Sequence, residues 1–164
     1  VQLLGSGSIL REVLAAAELL EADFQVTADV WSCTSMNELR RDGIACGRWD
    51  LLHPEEPPRQ SWVERCLGSR SGPVLAATDY QRAYADQIRP YVPRDRVCRV
   101  LGTDGYGRSD SRAKLRHLFE VNRYFVAVAA LKALADQGEV KSKEVAAAIK
   151  KYGIDPEKPD PITV

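Results

Sequence analysis

The chain opens on a short apolar run, Val1-Gln2-Leu3-Leu4, passes through Gly5-Ser6-Gly7-Ser8, and then changes period. From there Ile9, Val13, Ala16, Ala17 and Leu20 recur at the spacing of one helix face, which predicts strand, tight turn, helix. Val26 to Thr34 is rich in β-branched and aromatic residues and lies between polar turns, so it predicts a second strand. A β-α-β succession within about thirty residues is the length of a crossover unit with parallel strands.

Ser35 to Asp42 predicts a short capped helix that stops at Gly43, and Gly47 to Pro58 is broken by Pro54, Pro57 and Pro58 into a surface excursion. Ser61 to Leu67 reads as a helix. Val74 to Thr78 is a short apolar run of the kind buried on both faces of a parallel sheet. Tyr80 to Tyr91 predicts a helix ended by Pro90 and Pro93, and Val97 to Leu101 a fourth strand that runs into a glycine-rich loop, Gly102 to Gly107. Helices are expected over Ser111 to Phe119, Arg123 to Gln137 and Ser142 to Tyr152. Tyr124 to Leu134 is almost entirely apolar, which implies burial on more than one side. The proline-bearing tail, Asp155 to Val164, is expected to be extended and tied down by Ile162 and Val164. The pattern predicts a three-layer α/β/α fold with a mixed, mostly parallel sheet of about five strands. Four strands are legible; the fifth, antiparallel, is expected inside a segment that reads as helix or loop.

At 164 residues and 45% hydrophobic composition the chain is sized for one core, so residues 1–164 are read as one domain. Its 23 basic and 23 acidic residues cancel, leaving no field to gather nucleic acid or anionic lipid. No apolar run approaches the roughly 20 residues of a membrane span, and the start lacks the plan of a signal peptide; a cytoplasmic protein is expected. Cys33, Cys46, Cys66 and Cys98 are far apart in the sequence and form no C-x-x-C pair, so they read as reduced small hydrophobes rather than metal ligands.

Two segments carry candidate chemistry. Gly5, Ser6, Gly7 and Ser8 stand where an open α/β sheet can bind an anion at a helix N-terminus, although Leu10 occupies the place of a third glycine and no acidic ribose ligand follows. The bland reading is a tight turn with Ser8 as helix cap. Gly102, Thr103, Asp104, Gly105, Tyr106, Gly107, Arg108, Ser109, Asp110 and Arg112 form an unusual loop after a strand, the place where such sheets put function. It matches neither a calcium loop nor a P-loop. It reads as a structural loop whose Ser109 or Asp110 caps the next helix, or as a contact with ligand, cofactor domain or partner. No nucleophile elbow is present; His53 and His117 read as surface or packing residues, and Trp31, Trp49 and Trp62 as core or interface. No catalytic, cofactor-binding or metal-binding residue is assigned.

The segment from Gly102 to Arg112, with Leu115-Arg116-His117 and Phe119-Glu120-Val121 after it, closely resembles the C-terminal region of the homodimeric pyruvate dehydrogenase decarboxylating components. The opening run Val1 to Arg11 agrees in order, as do Glu38-Leu39, Arg41-Asp42-Gly43, Arg48-Trp49, Leu52-His53-Pro54, Thr78-Asp79-Tyr80 and Tyr91-Val92-Pro93. The resemblance implies a transketolase-like C-terminal domain cut from a larger multidomain chain, consistent with a start inside the first strand. It implies a parent oxidoreductase that uses thiamine diphosphate and Mg²⁺ to decarboxylate pyruvate and acetylate lipoyl groups. It also implies a homodimer and a dihydrolipoyl acetyltransferase partner. Such a parent holds its metal diphosphate with a Gly-Asp-Gly segment and a downstream Asn; here only Arg41-Asp42-Gly43 and Thr103-Asp104-Gly105 come near, without a suitably spaced Asn. The expectation is a structural and assembly domain, inactive alone, with the Gly102–Arg112 loop at an interface or at the approach to the active site. An anion-binding or regulatory module is the alternative.

Overall fold

A computed structural model describes all residues, 1–164. Its sheet has four strands, β1 (Gln2–Gly5), β2 (Asp29–Ser32), β3 (Val74–Ala77) and β4 (Cys98–Leu101), in the order β2-β1-β3-β4. All pairings are parallel, with Leu3 opposite Val30 on one side and Leu75 on the other. The central strands, β1 and β3, are buried at every position, Gln2 of β1 included, while β2 and β4 take the half-exposed edges.

Strand alternation divides the apolar side chains between two cores. Leu3, Leu75 and Ala77 face α1 (Leu10–Phe24), α6 (Arg123–Asp136) and α7 (Ser142–Lys151). Leu4, Val74 and Ala76 face the other way, toward Met36 of α2 (Met36–Leu52), Val63 of α3 (Trp62–Leu67) and Ala85 of α4 (Arg82–Asp86). The expected three layers are present. Helix α6 is apolar nearly all round because it packs against α1, α7 and the sheet together.

Several elements differ from the sequence expectation. The fifth strand does not form: the sheet ends at β4, beside which the Arg89 guanidinium donates to the Cys98 carbonyl at 2.7 Å. Helix α2 continues through Gly43 to Leu52. Ser35 caps it as expected, accepting from the Glu38 N–H at 3.2 Å, but Gly43 is a packing residue inside the helix and does not end it. A Cβ at Gly43 would lie 2.4 Å from the Tyr91 ring, so glycine lets that ring lie against the helix backbone. The Tyr80–Tyr91 segment is the five-residue α4 followed by a single 3-10 turn, Arg89–Tyr91, with Pro90 at its start. Strand β2 begins at Asp29 because the preceding residues cap α1: Gln25 adopts φ +56° and the Val26 N–H bonds the Leu20 carbonyl. The tail folds in turns and is anchored by Lys158, whose amino group donates to the Leu118 carbonyl at 3.0 Å and to Glu120 at 2.8 Å, and by buried Pro161. Ile162 and Val164, the expected anchors, are exposed.

Two glycines of α2 should respond to alanine with opposite sign. Gly43→Ala is expected to lower stability by about 1–3 kcal/mol through overpacking against Tyr91. Gly47→Ala, where a Cβ would meet nothing within 4 Å, is expected to raise it by up to about 1 kcal/mol through helix propensity. Urea unfolding of both variants checks the pair; equal shifts would contradict the packing account.

Candidate functional site

The chain steps from β1 outward to β2 and then crosses back to β3, so its switch point lies between the carboxyl ends of β1 and β3. The Gly5–Ser8 turn, the Thr78-Asp79-Tyr80 segment and the Gly102–Arg112 loop meet there. The Ser6 N–H donates to the Ala77 carbonyl at 3.1 Å, and the Thr78 N–H to the Leu101 carbonyl at 3.1 Å, which ties the three segments edge to edge. Gly7 has φ +56°, a region glycine enters without strain. Ser8 does not cap α1; it lies in a 3-10 turn, Gly7–Ile9, ahead of the helix. Its Oγ instead donates to Asp79 Oδ2 at 3.0 Å, and Asp79 Oδ1 stands 3.0 Å from where a Gly7 Cβ would be. The protein's own carboxylate is thus at the mouth of the turn, and an incoming anion would meet it.

The long loop divides into a braced base and a free tip. At the base, Gly102 passes so close to residues 80–82 that a Cβ would lie 2.7 Å from the Arg82 N and the Tyr80 O. Next to it the Thr103 N–H donates to the Tyr80 carbonyl at 2.9 Å and Thr103 Oγ1 to the Asp79 carbonyl at 2.6 Å. Asp104 accepts from the Arg82 N–H at 3.2 Å, with the Arg82 Nε 3.1 Å from its other oxygen. Gly105, at φ +102°, packs on Pro161 of the tail. The tip, Tyr106 to Ser109, is exposed to solvent, with Tyr106 78% exposed. The cap of α5 (Arg112–Leu118) is Ser111, accepting from the Lys114 N–H at 3.4 Å. Ser109 has no part in the cap, and Asp110 accepts from the Ser111 N–H at 2.6 Å. A cleft of about 470 Å³ lies between turn and loop, lined by Ser8, Asp79, Thr103, Asp110, Arg112 and Arg116 among others.

Behind this cleft lies a group that the sequence reading passed over. Glu12, on the side of α1 that faces α5 and α6, is 5% exposed. It pairs with Arg116 of α5 at 2.8 Å and with Arg123 of α6 at 3.1 Å, and also accepts from the Arg123 N–H at 3.0 Å. Arg116 reaches on to Ser8, donating to its carbonyl and its Oγ at 3.2 Å. Burial pulls the Glu12 carboxyl upward, but the hydrogen bonds from Arg123 and the charges of Arg123 and Arg116 outweigh it and hold the group below its ordinary 4.5. The signal was present in the sequence: Glu12 falls three residues after Ile9 and four before Ala16, inside an otherwise apolar stripe.

The remaining candidates are occupied in packing. His53 stacks on Trp49 with ring centroids 3.5 Å apart, and His117 meets Phe125 edge-on at 5.4 Å. All four cysteines are unpaired; burial, assisted by Cys66, pushes the Cys33 thiol up to about 11, away from thiolate chemistry. The two Asp-Gly segments do not fit a metal diphosphate. Asp42 accepts from the Trp62 N–H at 2.5 Å, both oxygens of Asp104 face Arg82, and no three potential ligands cluster anywhere in the chain. No helix is long and apolar enough to cross a membrane.

Parallel strands in this order, layered by helices on both faces, with loops gathered at the switch point, describe an open α/β domain. Residues 1–122 match the family described as the transketolase-like TK C-terminal domain, and the chain belongs to that family. It corresponds to the C-terminal domain of pyruvate dehydrogenase E1 components. It is 63% identical over 162 residues to that of Pseudomonas aeruginosa, 60% over 164 to that of Cupriavidus necator and 54% over 161 to that of Escherichia coli K12. These matches cover 99%, 100% and 98% of this chain but only 18% of each relative. Among solved structures, a split-gene transketolase described as an inactive beta4 tetramer superposes with a TM-score of 0.51 at 18% identity, covering 82% of this chain and 39% of that one, which supports the fold.

Glu12 gives the fold a pH dependence of defined sign. Its folded-state value is depressed, so its contribution is complete above the unfolded value near 4.5 and fades as pH falls through that value toward the lower folded one. Glu12→Gln is expected to cost about 3 kcal/mol at pH 7, because two arginines lose their partner. The gap from wild type should narrow below pH 4. Denaturant unfolding at pH 7 and pH 3.5 checks this; a gap independent of pH would remove the charge argument.

Proposed function

We propose that the chain is the C-terminal structural and assembly domain of a thiamine-diphosphate-dependent pyruvate dehydrogenase, inactive by itself. On this reading residues 1–164 form one domain of a longer, cytoplasmic, homodimeric chain that hands acetyl groups to a dihydrolipoyl acetyltransferase component. Thiamine diphosphate and Mg²⁺ then belong to the other domains. The observation that carries it is 63% identity along 99% of this chain to a protein of which it spans 18%. The engaged state of Asp42 and Asp104 supports it, since neither is free to hold the metal diphosphate.

Within this reading the Gly102–Arg112 loop has two jobs. Its base, Gly102 to Gly105, holds the loop to the 79–82 turn and the tail. Its tip, Tyr106 to Ser109, is offered to a neighbouring domain or subunit, or to the approach to the active site. Asp104→Ala is expected to cost the isolated chain about 1 kcal/mol, through the two interactions with Arg82. Arg108→Ala, at an exposed position, should change its stability by less than about 0.5 kcal/mol while lowering turnover or dimer stability of the full-length enzyme. Arg108→Ala without effect on either would remove the tip from the interface.

The function is tested by calorimetric titration of this chain with thiamine diphosphate and Mg²⁺, and by pyruvate decarboxylation assays of the chain alone and with the Pseudomonas aeruginosa E1 component truncated before the matching region. The expected result is no heat and no turnover alone, with turnover rising when both pieces are present. Cofactor binding or turnover by the isolated chain would overturn the reading.

A further inference from the structure

The second half of α2, from Ile44 to Leu52, packs on very little of its own domain. Beyond buried Gly43 none of its residues is buried. Nine residues of helix without support are marginal in water, yet here they are braced along one side by the strap of residues 53–60. Trp49 lies under His53, and the Arg59 guanidinium stands 3.4 Å from the same indole. Asp50 accepts from the Arg59 N–H at 2.8 Å. The outer side carries the stripe Arg41, Ile44, Arg48, Leu51, at steps of three and four residues. Leu51 is 78% exposed, Leu52 54% and Ile44 46%.

From Arg40 to Leu52 the helix turns its acidic groups inward and its basic ones outward. Its aspartates turn inward, Asp42 to the Trp62 N–H and Asp50 to the Arg59 N–H. Arg40, Arg41 and Arg48 stay on the exposed positions, where Arg41 pairs with the exposed Glu38 at 2.8 Å and Arg40 and Arg48 have no ion-pair partner. Apolar side chains set among arginines are the composition of an interface core and its rim, and differ from an ordinary solvated helix face. A surface complementary to it would be apolar with an acidic rim. The chain spans 18% of the length of its E1 relatives, so a large surface of such a protein lies outside these residues.

We propose that the Ile44–Leu52 overhang of α2 is a docking face for an apolar, acidic-rimmed surface on the remaining domains of the longer chain; this rests on the domain reading above. The strap pre-forms the helix, so docking orders little new backbone. This face is separate from the Gly102–Arg112 loop.

The test is hydrogen–deuterium exchange on the isolated chain and on the full-length Pseudomonas aeruginosa E1 component carrying this chain in place of its matching region. Residues 44–52 should exchange about ten-fold or more slowly in the chimera. Leu51→Arg and Arg48→Glu, both at exposed positions, should remove that protection while leaving the melting temperature of the isolated chain unchanged. Equal exchange of 44–52 in both proteins, with slowing elsewhere on the domain, would overturn this face and leave the domain reading standing. No slowing anywhere would overturn both. Slowing in the isolated chain that grows with concentration and accompanies a doubled mass would make a second copy the occupant, against the proposal.

Discussion

Glu12 brings a negative charge onto the side of α1 that faces the core, and the structure around it is arranged to keep that charge. A buried carboxylate without partners is costly, so α5 and α6 each supply an arginine and α6 adds a backbone N–H. The elbow between these helices is thereby set over the first turn of α1. Arg116 extends the arrangement to Ser8, and Ser8 to Asp79, so one chain of contacts runs from the core of the helical layer to the carboxyl end of the sheet. The loops that form the candidate site are held from behind by this network and from the side by Thr103 and Asp104.

The same network bears on what the site can do. Two positions suited to an anion, the turn after β1 and the N-terminus of α6, already face internal carboxylates, Asp79 and Glu12. A binding module would be expected to leave such positions to its ligand. This one uses them to join its own segments.

The elements whose pattern is local were legible early. The apolar runs of β1 and β3, the turn between β1 and α1, and the apolar length of α6 each state their structure within a few residues. Gly43 shows where local reading stops. Within the sequence a glycine after the octet Ser35–Asp42 looks like a helix end, and nothing near it signals that the Tyr91 ring, from a distant turn, packs on it inside α2. The fifth strand was an inference from fold habit rather than from residues, and no segment here forms it. For the site, the loop from Gly102 to Arg112 was visible through its glycines, but nothing in its sequence separated the braced base from the free tip.

Periodicity, strand composition and loop chemistry, all properties of neighbours along the chain, determined the parallel α/β plan, the helices flanking it and the family resemblance. Tertiary structure decided which carboxylates are available and which are engaged. It placed Glu12 between two arginines more than a hundred positions away, set Asp79 against Ser8, turned Asp42 toward Trp62, and left the end of α2 uncovered. These depend on contacts between segments remote in sequence, whose energies are fixed by burial and geometry that no local window contains.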